Sequence, residues 1–200
     1  MSRPTARSAR LAGWIAIPAA VVLSGALVAG GSYAAFSSTT VNPTSNWEAG
    51  TVQLADDDAN TALFTASALK PGSTGTRCIA VTSSGSLAST VKLYGTGAAT
   101  TKALSSSITL VITQGTGGSF GGGCAGFTPL ASGSSVYSGT LAAFGAAATG
   151  YSTGVGTWAP TGSATETRVY QITYAVDPAA PNTTQGGTAS IGFTWEAQNN

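Results

Sequence analysis

Thr167-Arg168-Val169-Tyr170-Gln171-Ile172-Thr173-Tyr174-Ala175-Val176 decides the fold class of this 200-residue chain. Side chains on a strand alternate between its two faces, so Arg168, Tyr170, Ile172, Tyr174 and Val176 share one face, while Val169, Gln171, Thr173 and Ala175 share the other. Ten residues rich in β-branched and aromatic types, with a period of two, read as a strand. The final segment alternates in the same way. Ile191, Phe193 and Trp195 point to one side as core, and Ser190, Gly192, Thr194 and Glu196 to the other.

Working outward, shorter strand signals occur at Gly50 to Leu54, Ala62 to Ala66, Arg77 to Thr82, Thr90 to Tyr94, Ile108 to Thr113 and Ser135 to Ser138. Gly, Ser, Asn and Pro clusters separate them, and no long stretch carries helical periodicity. Lys70-Pro71-Gly72 puts proline and glycine at the centre of a type II turn. Thr140 to Phe144 is the best candidate for one helical turn. Eight or nine short strands in one domain must close or stack to bury one face each. The expectation is therefore all-β: a single jelly-roll-like or immunoglobulin-like sandwich.

The first 34 residues read differently from the rest. Arg3, Arg7 and Arg10 precede an uncharged, mostly apolar run from Leu11 to Gly31, and Ser32 and Ala34 occupy the −3 and −1 positions of an A-x-A-like cleavage site. Residues 1–34 are expected to be a signal peptide and 35–200 the sandwich domain. The apolar run would span about 31 Å as a helix, against a bilayer core of about 30 Å, so an uncleaved anchor is the alternative. Either way the domain lies outside the cytoplasm, and the membrane is met only through this segment.

The three N-terminal arginines also carry the whole positive balance. The remainder has five basic and seven acidic residues, net −2, which leaves no basic patch for nucleic acid. With no histidine in the chain, the Ser-His-Asp arrangement and every His-containing zinc site are excluded. The expectation is a protein that is not an enzyme.

Cys78 and Cys124, the only two cysteines, are expected to pair as a disulfide in an exported chain, tying down the glycine-rich run Gly115 to Gly123. Asp56-Asp57-Asp58 is the one concentration of carboxylates. It reads as an acidic solvated turn or, if distant carbonyls complete it, a calcium site, the sole cofactor considered. Glu166, Asp177 and Glu196 are the other carboxylates weighed for glycosidase chemistry, and surface positions are the plainer reading. Among the aromatics, Trp47, Tyr137, Tyr151 and Tyr170 read as packing residues. Trp158, in a glycine-rich loop from Tyr151 to Pro160, is the candidate for stacking on a carbohydrate.

Several segments in order resemble the TasA/camelysin family of exported proteins of Gram-positive bacteria, particularly actinobacterial members. They are Gly31-Ser32-Tyr33-Ala34-Ala35-Phe36-Ser37, Trp47-Glu48-Ala49-Gly50-Thr51-Val52-Gln53-Leu54, Leu69-Lys70-Pro71-Gly72, Ile79-Ala80-Val81-Thr82-Ser83-Ser84-Gly85-Ser86-Leu87, Val91-Lys92-Leu93 and Phe193-Thr194-Trp195-Glu196-Ala197. The resemblance implies a jelly-roll sandwich at the cell surface or in the extracellular matrix. It also implies biofilm fibres in which an N-terminal strand of one subunit completes the sheet of the next, with itself or other matrix proteins as partners. The family carries a metallopeptidase label as well, but no H-E-x-x-H arrangement can be drawn without histidine. The uncharged, extended-type segment Ala35-Phe36-Ser37-Ser38-Thr39-Thr40-Val41, followed by Asn42-Pro43 as a hinge, is the expected donor strand. The alternative function is a monomeric surface adhesin or carbohydrate-binding module.

Overall fold

A computed structural model describes residues 49–200. The expected signal peptide (1–34), the expected donor segment Ala35–Val41 and Trp47 lie outside these residues. The described chain forms nine strands in two antiparallel sheets. In chain order these are β1 (Leu54–Asp56), β2 (Thr74–Ser83), β3 (Ser89–Thr100), β4 (Ile108–Thr116), β5 (Thr128–Pro129), β6 (Ser135–Thr140), β7 (Val155–Trp158), β8 (Glu166–Val176) and β9 (Ala189–Asn199). One sheet runs β1-β2-β8-β4-β5, with β6 also paired to β4, and the other runs β7-β3-β9. The all-β sandwich read from alternation is the observed architecture.

The faces fall as the period of two requires. Tyr170 and Ile172 of β8 meet Ile79 and Val81 of β2 and Leu110 and Ile112 of β4 on the inner face. Val91 and Leu93 of β3 close the core from the opposite sheet. These eight residues are at most 2% exposed. Burying each such side chain contributes about 1.5–3 kcal/mol, which makes this layer the main source of stability. The Lys70-Pro71-Gly72 turn forms as read, with Ser73 N–H donating to Lys70 O at 2.9 Å and Gly72 at φ 82°.

The expected helical turn is helix α1 (Leu141–Ala147), started by the Thr140 hydroxyl accepting the Ala143 N–H at 3.1 Å. It drops Phe144 into the core between Tyr137 and Phe193, whose ring centroids lie 4.9 and 5.8 Å away.

Three sequence readings are corrected. Ala62 to Ala66 is not a strand. Leu63 and Phe64 are adjacent yet both pack inward, Leu63 into the core and Phe64 edge-on against Tyr174 at 5.1 Å, a pattern no flat strand permits. Gly50 to Gln53 precedes the strand, whose span is Leu54–Asp56. Instead Thr51 O accepts the N–H groups of Ser86 and Leu87, and Gln53 O that of Ser84. Tyr151 to Pro160 is not wholly a loop, because β7 pairs with β3 through Val91↔Trp158 and Val155↔Leu93. Its irregular register and Gly156 at φ 103° mark a bulge that hides the alternation from the sequence. On the other face of β8, Val169 points away from the core yet is only 4% exposed. The ring of Phe127 covers Gly115, its cross-strand neighbour on that outer face, so closely that an added Cβ there would collide with it.

Candidate functional site

The two sides of the sandwich differ. On one side β6 approaches β7 and joins the sheets, and on the other β1 approaches β9. β1 is three residues long, whereas β9 is eleven, and among the described residues no strand pairs with the outer edge of β9. An edge of this length presents a row of backbone donors and acceptors able to template another strand. Natural edges are commonly blunted by charge, but β9 carries one ionisable side chain, Glu196.

The side chains of β9 fit an edge awaiting cover. Ile191, Phe193, Trp195 and Ala197 all pack against the core but are only partly buried, while Val91 and Leu93 on the neighbouring β3 are 1% exposed. Trp195 lies 5.3 Å from Tyr170 between ring centroids. On the solvent face, Tyr94 O–H donates to Glu196 Oε2 at 2.8 Å, and Gln198 Nε2 donates to Glu196 Oε1 at 2.8 Å. These two hydrogen bonds, Gln198 first, hold the Glu196 carboxyl below its usual range, and the bond from Tyr94 raises the Tyr94 phenol. Thus the single charge on β9 is tied down within its own sheet.

Cys78 and Cys124 form a disulfide, with Cα atoms 5.2 Å apart. Cys78 sits on the outer face of β2, fully buried beneath the glycine-rich loop that the bond holds against the sheet. Asp57 adds a second tether. Its Oδ1 accepts the Ala80 N–H on β2 and its Oδ2 the Phe120 N–H in that loop, both at 2.8 Å. Asp58 Oδ1 accepts the Asn60 N–H at 2.8 Å, and burial raises the Asp56 carboxyl, with Asp58 adding to the shift. Asp57 and Asp58 therefore spend carboxylate oxygens on backbone N–H groups. Among the described residues no three His, Cys, Asp or Glu side chains gather as metal ligands.

Trp158 is the corrected site residue. It ends β7, is 3% exposed, and carries the Arg168 guanidinium 5.8 Å above its ring. No sugar ring can stack on a buried indole. The strand pairing of Val91 with Trp158 buries it, and the glycines around it concealed that strand. Glu166 accepts the N–H and hydroxyl of Thr161 at 2.7 and 2.8 Å, and these bonds lower its carboxyl. Asp177 Oδ1 accepts the Ala179 N–H within its own turn. Each carboxylate weighed for glycosidase chemistry thus has a local structural partner. Tyr137 and Tyr170 pack in the core as expected, and Tyr151 O–H donates to Thr90 O at 3.0 Å.

Taken together these features define a disulfide-tied, two-sheet β-sandwich with one long free edge. Residues 12–105 match the model of the camelysin metallo-endopeptidase family, which supports assigning the chain to the TasA/camelysin family. The match ends before β4. No curated protein matches the chain. The zinc centre that the family description implies does not fit these residues: there is no histidine, and both cysteines are in the disulfide.

Proposed function

We propose that the protein is an exported structural subunit of an extracellular matrix or cell-surface fibre. In this reading, Ala35–Val41 of one copy adds as a strand to β9 of its neighbour, and the protein is not an enzyme. The observation that carries this is the free edge of β9, with its inward apolar residues only partly buried. The lengths agree: seven residues span about 23 Å as a strand, and the inward row from Ile191 to Ala197 is also seven residues. A strand docked there would satisfy the open backbone groups and complete the burial of Phe193 and Trp195. Export rests on the basic-then-apolar N-terminus and on the family.

The alternative reading, a monomeric carbohydrate-binding module, loses its named platform with the burial of Trp158. Size-exclusion chromatography and electron microscopy on the exported protein test the proposal. Filaments that disappear on deletion of Ala35–Val41, while the monomer stays folded, are the expected outcome. Filaments that persist after the deletion would contradict it.

A further inference from the structure

A groove of about 640 Å³ opens at the end of the sandwich where β2 begins and β3 and β8 end. Its floor is a second hydrophobic cluster, Leu104, Ile108 and Val176, with Leu69, Ala180 and Ala189 at its margin. The volume falls in the range of small-molecule sites. Backbone hydrogen bonds tie its surroundings together: Gly72 N–H donates to Val176 O, Thr101 N–H to Thr188 O, and Gly187 N–H to Thr184 O. Ala68, Lys102 and Ala103 hold positive φ at 51° to 54° around it, a conformation that costs non-glycine residues energy and persists only where surroundings enforce it.

The charge at the groove is one-sided. Among the described residues, Lys70 is the only ionisable side chain in its lining. A second ammonium, Lys102 Nζ, donates to the lining carbonyl of Gln185 at 2.6 Å. The nearest carboxylate along the chain, Asp177, is turned onto the Ala179 N–H. On one wall the N–H groups of Ala180, Gln185 and Gly187 go to the carbonyls of Asp177, Asn182 and Thr184, so an extended peptide would find few partners along it, whereas an alkyl chain needs none.

We propose that this groove binds a single-chain anionic amphiphile, a free long-chain carboxylate, with the alkyl chain on Leu104, Ile108 and Val176 and the head group at Lys70. This goes beyond the fibre reading and is independent of whether filaments form.

Calorimetric titration of the exported protein with dodecanoate, below its micelle concentration, tests the proposal, with dodecanol as the uncharged control. Saturable one-to-one binding of dodecanoate, weaker binding of dodecanol, and loss of binding in Ala180→Phe are the expected results. Lys70→Glu, an exposed position that leaves the fold intact, should weaken dodecanoate about tenfold and leave dodecanol unchanged, twice the usual scale of one exposed charge pair. Absence of saturable binding would overturn the proposal. So would equal affinity for the alcohol, or indifference to Lys70→Glu, even if Ala180→Phe fails to fold.

Discussion

Asp57 and Phe120 are 63 residues apart in sequence, yet the Asp57 carboxylate accepts the Phe120 N–H at 2.8 Å while its other oxygen accepts the N–H of Ala80. One exposed side chain thereby extends the pairing of β1 along β2 and fastens the glycine-rich loop over the sheet. The disulfide fastens the same loop from Cys124, so that loop is held at two points with few packing side chains of its own.

Asp57→Ala should lower stability by about 1 kcal/mol, the usual worth of a hydrogen bond to a charged acceptor reduced for an exposed site. Thermal unfolding under oxidising conditions checks this. The loss should shrink when the same substitution is made in a chain lacking the disulfide, because the loop, no longer anchored at Cys124, then meets Asp57 less often.

Replacing both Cys78 and Cys124 by serine should cost about 4 kcal/mol, the chain-entropy estimate for a loop with a sequence separation of 46. Urea denaturation with and without reductant measures it.

Trp158→Ala should cost about 3–5 kcal/mol, as deletion of a large buried aromatic does, and Trp158→Phe distinctly less. Denaturant midpoints at constant slope are the readout. A stacking residue on an exposed loop would instead change stability little, so this substitution separates the two placements of Trp158.

The Glu166 carboxyl is held low by the Thr161 N–H and hydroxyl. A carboxyl whose folded pKa is depressed adds stability above its unfolded pKa, and that stability is lost as pH falls through the folded value. Between pH 5 and 2 the melting temperature should therefore fall less steeply in Glu166→Gln than in the parent chain. Asp56, raised by burial, acts in the opposite sense: its ionisation on raising the pH through its folded pKa works against folding.

Much of the sandwich was legible because alternation is a local property. Tyr170, Ile172 and Val176 share a face by the geometry of the strand alone, and they are buried. The edge role of β9 was half legible: Ile191, Phe193 and Trp195 announce an inward face, but nothing in the segment says how many neighbours it has. The burial of outer-face Val169 was not legible, because it pairs with Gly115, over which the ring of Phe127 is laid by a separate loop. Trp158 was misplaced for the same kind of reason, since its strand is recognisable only once β3 lies beside it. The Asp56-Asp57-Asp58 run showed its charge in the sequence but not its partners, Ala80 and Phe120.

By itself, then, the sequence determined what is written at short range: β-strand periodicity, the Pro71-Gly72 turn, the Thr140 helix start and the absence of histidine chemistry. Pairing order, the free edge of β9, the buried Trp158 and the groove above Leu104, Ile108 and Val176 were decided only in three dimensions. Each depends on which distant segments lie side by side, and a period of two carries no information about that.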